Sequence, residues 1–220
     1  MHRTRIKICG ITRAEDLRAA VACGADALGF VFYPKSPRYL TPGQFAALGA
    51  ALPPYVSSVA LFVNATVEEV GAVVDAAPVA LLQFHGDETP EQCARLAAAA
   101  GRPWMKAFRV KPGACGADLL EYERLCRAAS PLFSSLLLDT YVDAYGGAGK
   151  VFDWSLIPNE LAPRVVLSGG LSAHNATDAV ARVRPFAVDV SSGVEREKGI
   201  KDAARIAAFI DAVRAADATI

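Results

Sequence analysis

Short apolar runs, β-branched or leucine-rich, alternate with amphipathic, alanine-rich segments from one end of the chain to the other. The runs predict strands over 5–9, 26–32, 58–63, 79–84, 105–110, 135–139, 164–168 and 186–190. The segments between them predict helices over 13–23, 42–50, 66–76, 89–100, 117–129, 172–183 and 202–215. Between the sixth and seventh strands there is room only for a short helix near 154–157. Such alternation predicts an α/β fold, a single-domain (β/α)8 barrel over residues 1–220. A doubly wound open sheet shares the alternation, but eight units of nearly equal length favour closure. No linker, low-complexity tract or composition shift divides the chain.

Local punctuation supports the helices. Thr12, Thr66 and Thr89 each precede a Glu or Gln at capping-box spacing. Thr41-Pro42 and Thr89-Pro90 place proline at a first helical position, and Cys23-Gly24 and Ala100-Gly101 place glycine at helix ends.

A barrel also sorts polar residues. Active sites lie at the C-terminal ends of the strands, so a polar residue after an apolar run reads as functional and one before it as stabilising. Asp26 precedes its run and belongs to the inert face, whereas Cys9, His85, Asp139, Ser168 and Ser191 follow theirs. Ser168-Gly169-Gly170 and Ser191-Ser192-Gly193 close the last two strands with glycines whose N–H groups can approach an anion, as phosphate-binding barrels do there. Two ordinary tight turns are the alternative for either alone; the pair in register favours phosphate. Arg38 sits in a loop stiffened by Pro34 and Pro37, where it either holds a carboxylate in a bidentate pair or is solvated. Gln83 and His85, two apart, share one face of the fourth strand, to bind hydroxyls, assist proton transfer or satisfy neighbouring backbone.

Cys9 shares inward parity with Lys7, and a nearby cation is expected to lower its pKa towards that of a usable base. Lys7 in a barrel interior needs a partner; strand one closes on strand eight, which makes Asp189 the candidate. Asp139, directly after three leucines, is partly desolvated and suits a general acid, with a loop cap as the alternative. Gly146-Gly147-Ala148-Gly149-Lys150 lacks the spacing of a nucleotide loop and reads as part of a flap over the site, about 140–153, with a plain surface loop as the alternative.

Composition narrows the class. Lys plus Arg and Asp plus Glu are both 23, so nothing points to a nucleic-acid or membrane-surface partner. The five cysteines show no metal-ligand spacing, and their odd number, with Met1-His2-Arg3-Thr4 leading straight into a strand, suggests reduced thiols in the cytoplasm. No apolar run reaches the length of a membrane span.

Several motifs together resemble those of the phosphoribosylanthranilate isomerase family. They are Lys7-Ile8-Cys9-Gly10-Ile11-Thr12, Phe32-Tyr33-Pro34-Lys35-Ser36-Pro37-Arg38-Tyr39, Gln83-Phe84-His85-Gly86 and Leu138-Asp139-Thr140. Gly146 to Trp154, Ser168-Gly169-Gly170-Leu171 and Asp189-Val190-Ser191-Ser192-Gly193-Val194-Glu195 continue the series. Phe84, where leucine is more usual, and Ala148, where a small polar residue is common, are mild departures. The resemblance implies an Amadori rearrangement in tryptophan biosynthesis, with Asp139 as general acid and Cys9 as general base. It implies no metal or redox cofactor, phosphate on Gly169-Gly170 and Ser192-Gly193, and Arg38 facing the anthranilate carboxylate. The partner is then a small phosphorylated substrate. A monomer is expected, with a dimer as the alternative. Another phosphosugar isomerase, or a barrel that binds a phosphorylated ligand without turnover, is the rival reading.

Overall fold

The computed structural model describes residues 3–141 and 151–219. Eight strands carry the barrel: β1 (Arg5–Cys9), β2 (Ala27–Val31), β3 (Ser57–Phe62), β4 (Leu81–Phe84), β5 (Trp104–Val110), β6 (Phe133–Thr140), β7 (Val166–Leu167) and β8 (Ala187–Val190). They pair in parallel in sequence order, and β1 closes the barrel on β8, with Lys7 beside Asp189. The helices are α1 (Ala14–Ala22), α2 (Pro42–Gly49), α3 (Val67–Ala76), α4 (Pro90–Ala100), α5 (Gly116–Ala129), α6 (Ala176–Val183) and α7 (Ala203–Asp217). A short 3-10 turn, Trp154–Leu156, stands where a short helix was expected.

Side chains alternate along each strand, so every strand serves two cores. Ile6, Ile8, Leu28, Phe30, Leu82, Phe84, Leu136 and Leu138 pack outward under the helices. An aromatic succession on that side, Phe62 to Phe84 to Trp104 to Phe133, has ring centroids 4.9–6.3 Å apart. The intervening residues point inward: Val59, Met105, Ala107, Leu137, Val166 and Ala187 fill the lower barrel. Above them Cys9, Val31 and Leu61 form a smaller cluster next to Tyr33 and Val63. The lower barrel is thus filled mainly with hydrocarbon, and polar side chains gather towards its C-terminal rim.

The capping boxes of Thr66 with Glu69 and Thr89 with Gln92 form as expected, and Thr41 with Gln44 makes a third. Thr12 does not cap α1. Arg13 takes the cap position without a side-chain bond, and the Thr12 hydroxyl donates 2.6 Å to the Gly199 carbonyl, drawn away by a hairpin that hydrophobic periodicity does not reveal. That hairpin, β9 (Glu195–Glu197) and β10 (Ile200–Lys201), follows a 3-10 turn at Ser192–Val194. The helix expected from 172 starts four residues later. Residues 170–175 instead make a turn in which Asn175 accepts from the Ser172 N–H and donates to the Gly170 carbonyl.

The two ends of the barrel differ as anticipated. Asp26, at the N-terminal end, accepts from the Ile6 N–H and meets Arg3 and Arg214, while Asp217 accepts from the Thr4 N–H and hydroxyl. These contacts fasten α7 to the base of the barrel and touch no cavity of the C-terminal rim.

Candidate active site

One cavity opens at the C-terminal rim. Cys9, Arg38, Gln83, His85, Asp139, Ser168, Gly169, Gly170, Asp189, Ser191 and Ser192 line it together with Tyr33 and Ser36. Of the expected site residues only Gly193 is not part of the lining; a β-carbon there would collide with the Leu171 carbonyl, so there is no space for a side chain. Residues from strands one, four, six, seven and eight therefore meet at one mouth.

Lys7 is 4% exposed and donates 2.7 Å to Asp189, so the expected partnership across the barrel seam holds. Burial opposes the charge on Lys7, but Asp189 and Cys9 outweigh it and raise its pKa above the ordinary value. The second Asp189 oxygen accepts 3.2 Å from the Ser168 hydroxyl. Asp189 is therefore tied to the barrel wall as well as lining the cavity.

Cys9 does not behave as the neighbouring cation alone would dictate. Burial pushes the thiol up, Lys7 and Lys201 pull it down, Asp189 pushes it further up, and the net direction is upward. A desolvated thiolate loses more hydration than two already paired ammonium groups return. Gly29 on β2 makes room for this cluster: a β-carbon there would stand 2.7 Å from the Cys9 sulfur and 3.1 Å from the Lys7 side chain. A glycine inside a strand is the sequence signal for such a close approach.

Asp139 stands one residue before the end of β6, on the opposite wall. One oxygen accepts from the Thr140 N–H at 2.8 Å, and the other lies 3.0 Å from Nε2 of His85. Nδ1 of His85 lies 2.9 Å from the Gln83 amide nitrogen, so the two β4 residues form a chain that ends on Asp139. Gly169, with φ of +83°, lies so close that a β-carbon would come 2.7 Å from Asp139 Oδ1. Only glycine suits both that backbone region and that gap.

Arg38 does hold a carboxylate in a bidentate pair, and that carboxylate is Glu195. Nε and Nη2 each donate 2.7 Å to it, and Lys201 donates 2.9 Å to the same side chain. Burial works to raise the Glu195 pKa, but Arg38 and Lys201 reverse this and hold it below the usual carboxylate range. Lys201 also donates to the Ser191 carbonyl at 3.1 Å and to its hydroxyl at 3.3 Å. Glu195 and Lys201 escaped the strand-end rule because they belong to the β9–β10 hairpin beyond the last barrel strand. The N–H groups of Gly169, Gly170, Ser192 and Gly193 make no backbone hydrogen bond among the described residues. Of these, Gly169, Gly170 and Ser192 line the mouth itself. The glycine run 146–150 and most of the expected flap lie outside the described residues.

Lys106, early in β5, points away from the cavity and donates to the Gly86 carbonyl and Glu88 at 2.7 and 3.1 Å. Among the described residues no group of His, Cys, Asp or Glu is arranged to hold a metal ion, and no helix is long and apolar enough to cross a membrane.

Known proteins match along nearly the whole chain. The family model described as "N-(5'phosphoribosyl)anthranilate (PRA) isomerase" covers residues 6–212. An N-(5'-phosphoribosyl)anthranilate isomerase of Herminiimonas arsenicoxydans is 70% identical over all of this chain and 97% of its own. The crystal structure of phosphoribosyl anthranilate isomerase from Thermotoga maritima superposes with a TM-score of 0.83 at 42% identity, over 97% of this chain and 100% of that one. A phosphoribosyl anthranilate isomerase crystallised with reduced 1-(o-carboxyphenylamino)-1-deoxyribulose 5-phosphate gives 0.81 at 39%, over 97% and 100%.

Proposed function

This chain belongs to the N-(5'-phosphoribosyl)anthranilate isomerase family, and from that premise we propose how its own residues carry the reaction. It is an isomerase of tryptophan biosynthesis, converting N-(5'-phosphoribosyl)anthranilate to 1-(2-carboxyphenylamino)-1-deoxyribulose 5-phosphate. The observation that carries the assignment of roles is the placement of Cys9 and Asp139 on different walls of one cavity, between glycine loops and Arg38.

Asp139 gives a proton to the furanose oxygen; the C1–O bond breaks and the anomeric nitrogen becomes an imine. Cys9 takes the proton from C2, and the electron pair moves to form an enolamine. Cys9 then gives that proton to C1 and the C2 hydroxyl proton passes to Asp139, giving the ketone; as product leaves, Cys9 takes back from water the proton it gave up. The resting thiol becomes a base because the imine, once protonated, adds a third positive charge beside Lys7 and Lys201, while its S–H proton leaves to water. The imine supplies the electron sink, so the protein contributes orientation and two placed proton carriers.

The phosphate is held by the N–H groups of Gly169, Gly170, Ser192 and Gly193, with Ser168 and Ser191 buttressing those loops. Asp189 keeps Lys7 charged beneath the sulfur and reaches the substrate only at the cavity wall. Arg38 meets the anthranilate carboxylate with the guanidinium edge that Glu195 leaves, while Glu195 and Lys201 fix its plane. The protein works as one catalytic domain on a small phosphorylated substrate. The test is the loss of N-aryl fluorescence when purified protein meets N-(5'-phosphoribosyl)anthranilate. Turnover that disappears in Cys9→Ser and in Asp139→Asn supports the assignment, and near-wild-type kcat in either variant removes that residue's role.

A further inference from the structure

Gln83 is fully buried, and its Oε1 has no hydrogen-bond partner while its Nε2 faces His85. Nothing in the reaction as derived uses this side chain. The two ends of a primary amide have nearly the same shape, so hydrogen bonding decides which of them faces the imidazole. The choice propagates to Asp139. If the amide N–H₂ faces His85, it donates to Nδ1, the imidazole proton sits on Nε2, and Nε2–H donates to Asp139 Oδ2. Oδ1 already accepts from the Thr140 N–H. The His85–Asp139 contact then holds a single proton, on the imidazole, and Asp139 has none to pass on from it.

If the amide carbonyl faces His85, it accepts from Nδ1–H. The 3.0 Å contact between Nε2 and Oδ2 then holds a proton in addition to the one on Nδ1, so the pair carries one proton more than in the first arrangement. Only this second arrangement loads the acid. The neighbouring described charges have partners of their own. Asp189 and Lys7 face each other across the β1–β8 seam, Cys9 adjoins them, Arg38 is on Glu195, Lys106 is on Glu88 behind β4, and Arg109, level with Asp139 on β5, donates to Asp87.

We propose that Gln83 and His85 are positioning residues for the proton of Asp139: the Gln83 carbonyl fixes the Nδ1–H form of His85, and Nε2 shares the Asp139 proton. This rests on the reading of Asp139 as the general acid. The proton moves from Oδ2 to the furanose oxygen, leaving Asp139 as a carboxylate facing the bare Nε2. That arrangement favours return of a proton from the C2 hydroxyl in the last step. No group is oxidised or reduced, and each turnover returns the relay to its starting form.

The chain has three histidines, so long-range ¹H–¹⁵N spectra of the full-length ¹⁵N-labelled protein can read the His85 tautomer directly, with His85→Gln assigning its signals. A protonated Nδ1 is expected; a bare Nδ1 with the proton on Nε2 overturns the relay. Kinetics give an independent reading. Gln83→Glu keeps an acceptor at Nδ1 and should retain kcat within about threefold, whereas Gln83→Leu should lower kcat by about tenfold to a hundredfold with KM within about twofold. Equal loss of kcat in both, or a loss carried by KM, overturns it. Asp139→Asn separates this failure from that of the underlying reading. If that variant keeps wild-type kcat, the acid assignment falls; if it is inactive while Nδ1 of the wild type is bare, the relay alone falls.

Discussion

Two carboxylates, Asp139 and Asp189, stand near the C-terminal ends of β6 and β8 and open on the same cavity, yet the structure gives them opposite surroundings. Asp189 is 2.7 Å from a buried ammonium and also holds a serine hydroxyl, so it is a counter-ion. Asp139 is 3.0 Å from an imidazole, a group that can either give or take a hydrogen bond, and its side chain keeps 17% of its exposure. Strand-end position grants access to the substrate; the partner decides whether the carboxylate holds charge or moves a proton. The same distinction separates Cys9, which lines the cavity, from Lys7 two residues earlier, which is held on Asp189.

Substitution at each member tests this contrast. Asp139→Asn should lower kcat by about 10²–10⁴-fold, with KM within a few-fold and the fold intact, and Cys9→Ser should do likewise. Asp189→Asn should act on stability first: it leaves Lys7 buried without its anion, at a cost of about 3–5 kcal/mol in a urea melt. A melt unchanged by that substitution would show that Asp189 is not the counter-ion. Arg38→Ala should raise KM by about tenfold and change kcat less, since it removes a carboxylate contact held through binding; a change in kcat alone would point to a role in the chemistry.

The smallest effect concerns Cys9 itself. Its pKa lies above the ordinary thiol value of 9.0, so at neutral pH the free enzyme carries S–H, and the thiolate appears only as pH rises past that value. Iodoacetamide should therefore label Cys9 slowly at neutral pH and progressively faster in alkali. In Asp189→Asn the labelling at neutral pH should be faster, because an upward influence on the thiol is gone and the Lys7 charge is no longer balanced. A labelling rate that has already levelled off at neutral pH would contradict the upward direction.

Much of this was legible in the residues themselves. Alternating apolar runs anticipated all eight strands, and the strand-end rule brought Cys9, His85, Asp139, Ser168 and Ser191 to one mouth. Parity anticipated the pairing of Lys7 with Asp189 because barrel closure makes strands one and eight neighbours. Three things were hidden. Thr12 satisfies its capping spacing, yet a tertiary contact to Gly199 competes for its hydroxyl. The direction of the Cys9 shift depends on how much water burial removes, which residue order does not encode. Glu195 and Lys201 sit in a hairpin too short to register as periodicity, although Glu195 is the carboxylate that Arg38 was suited to hold.

The most direct measurement is kcat of purified Asp139→Asn at saturating N-(5'-phosphoribosyl)anthranilate, followed by fluorescence, beside its melting temperature. A fall of about a hundredfold or more with an unchanged melting temperature is the predicted result. A kcat within a few-fold of wild type would mean that Asp139, like Asp189, only shapes the wall.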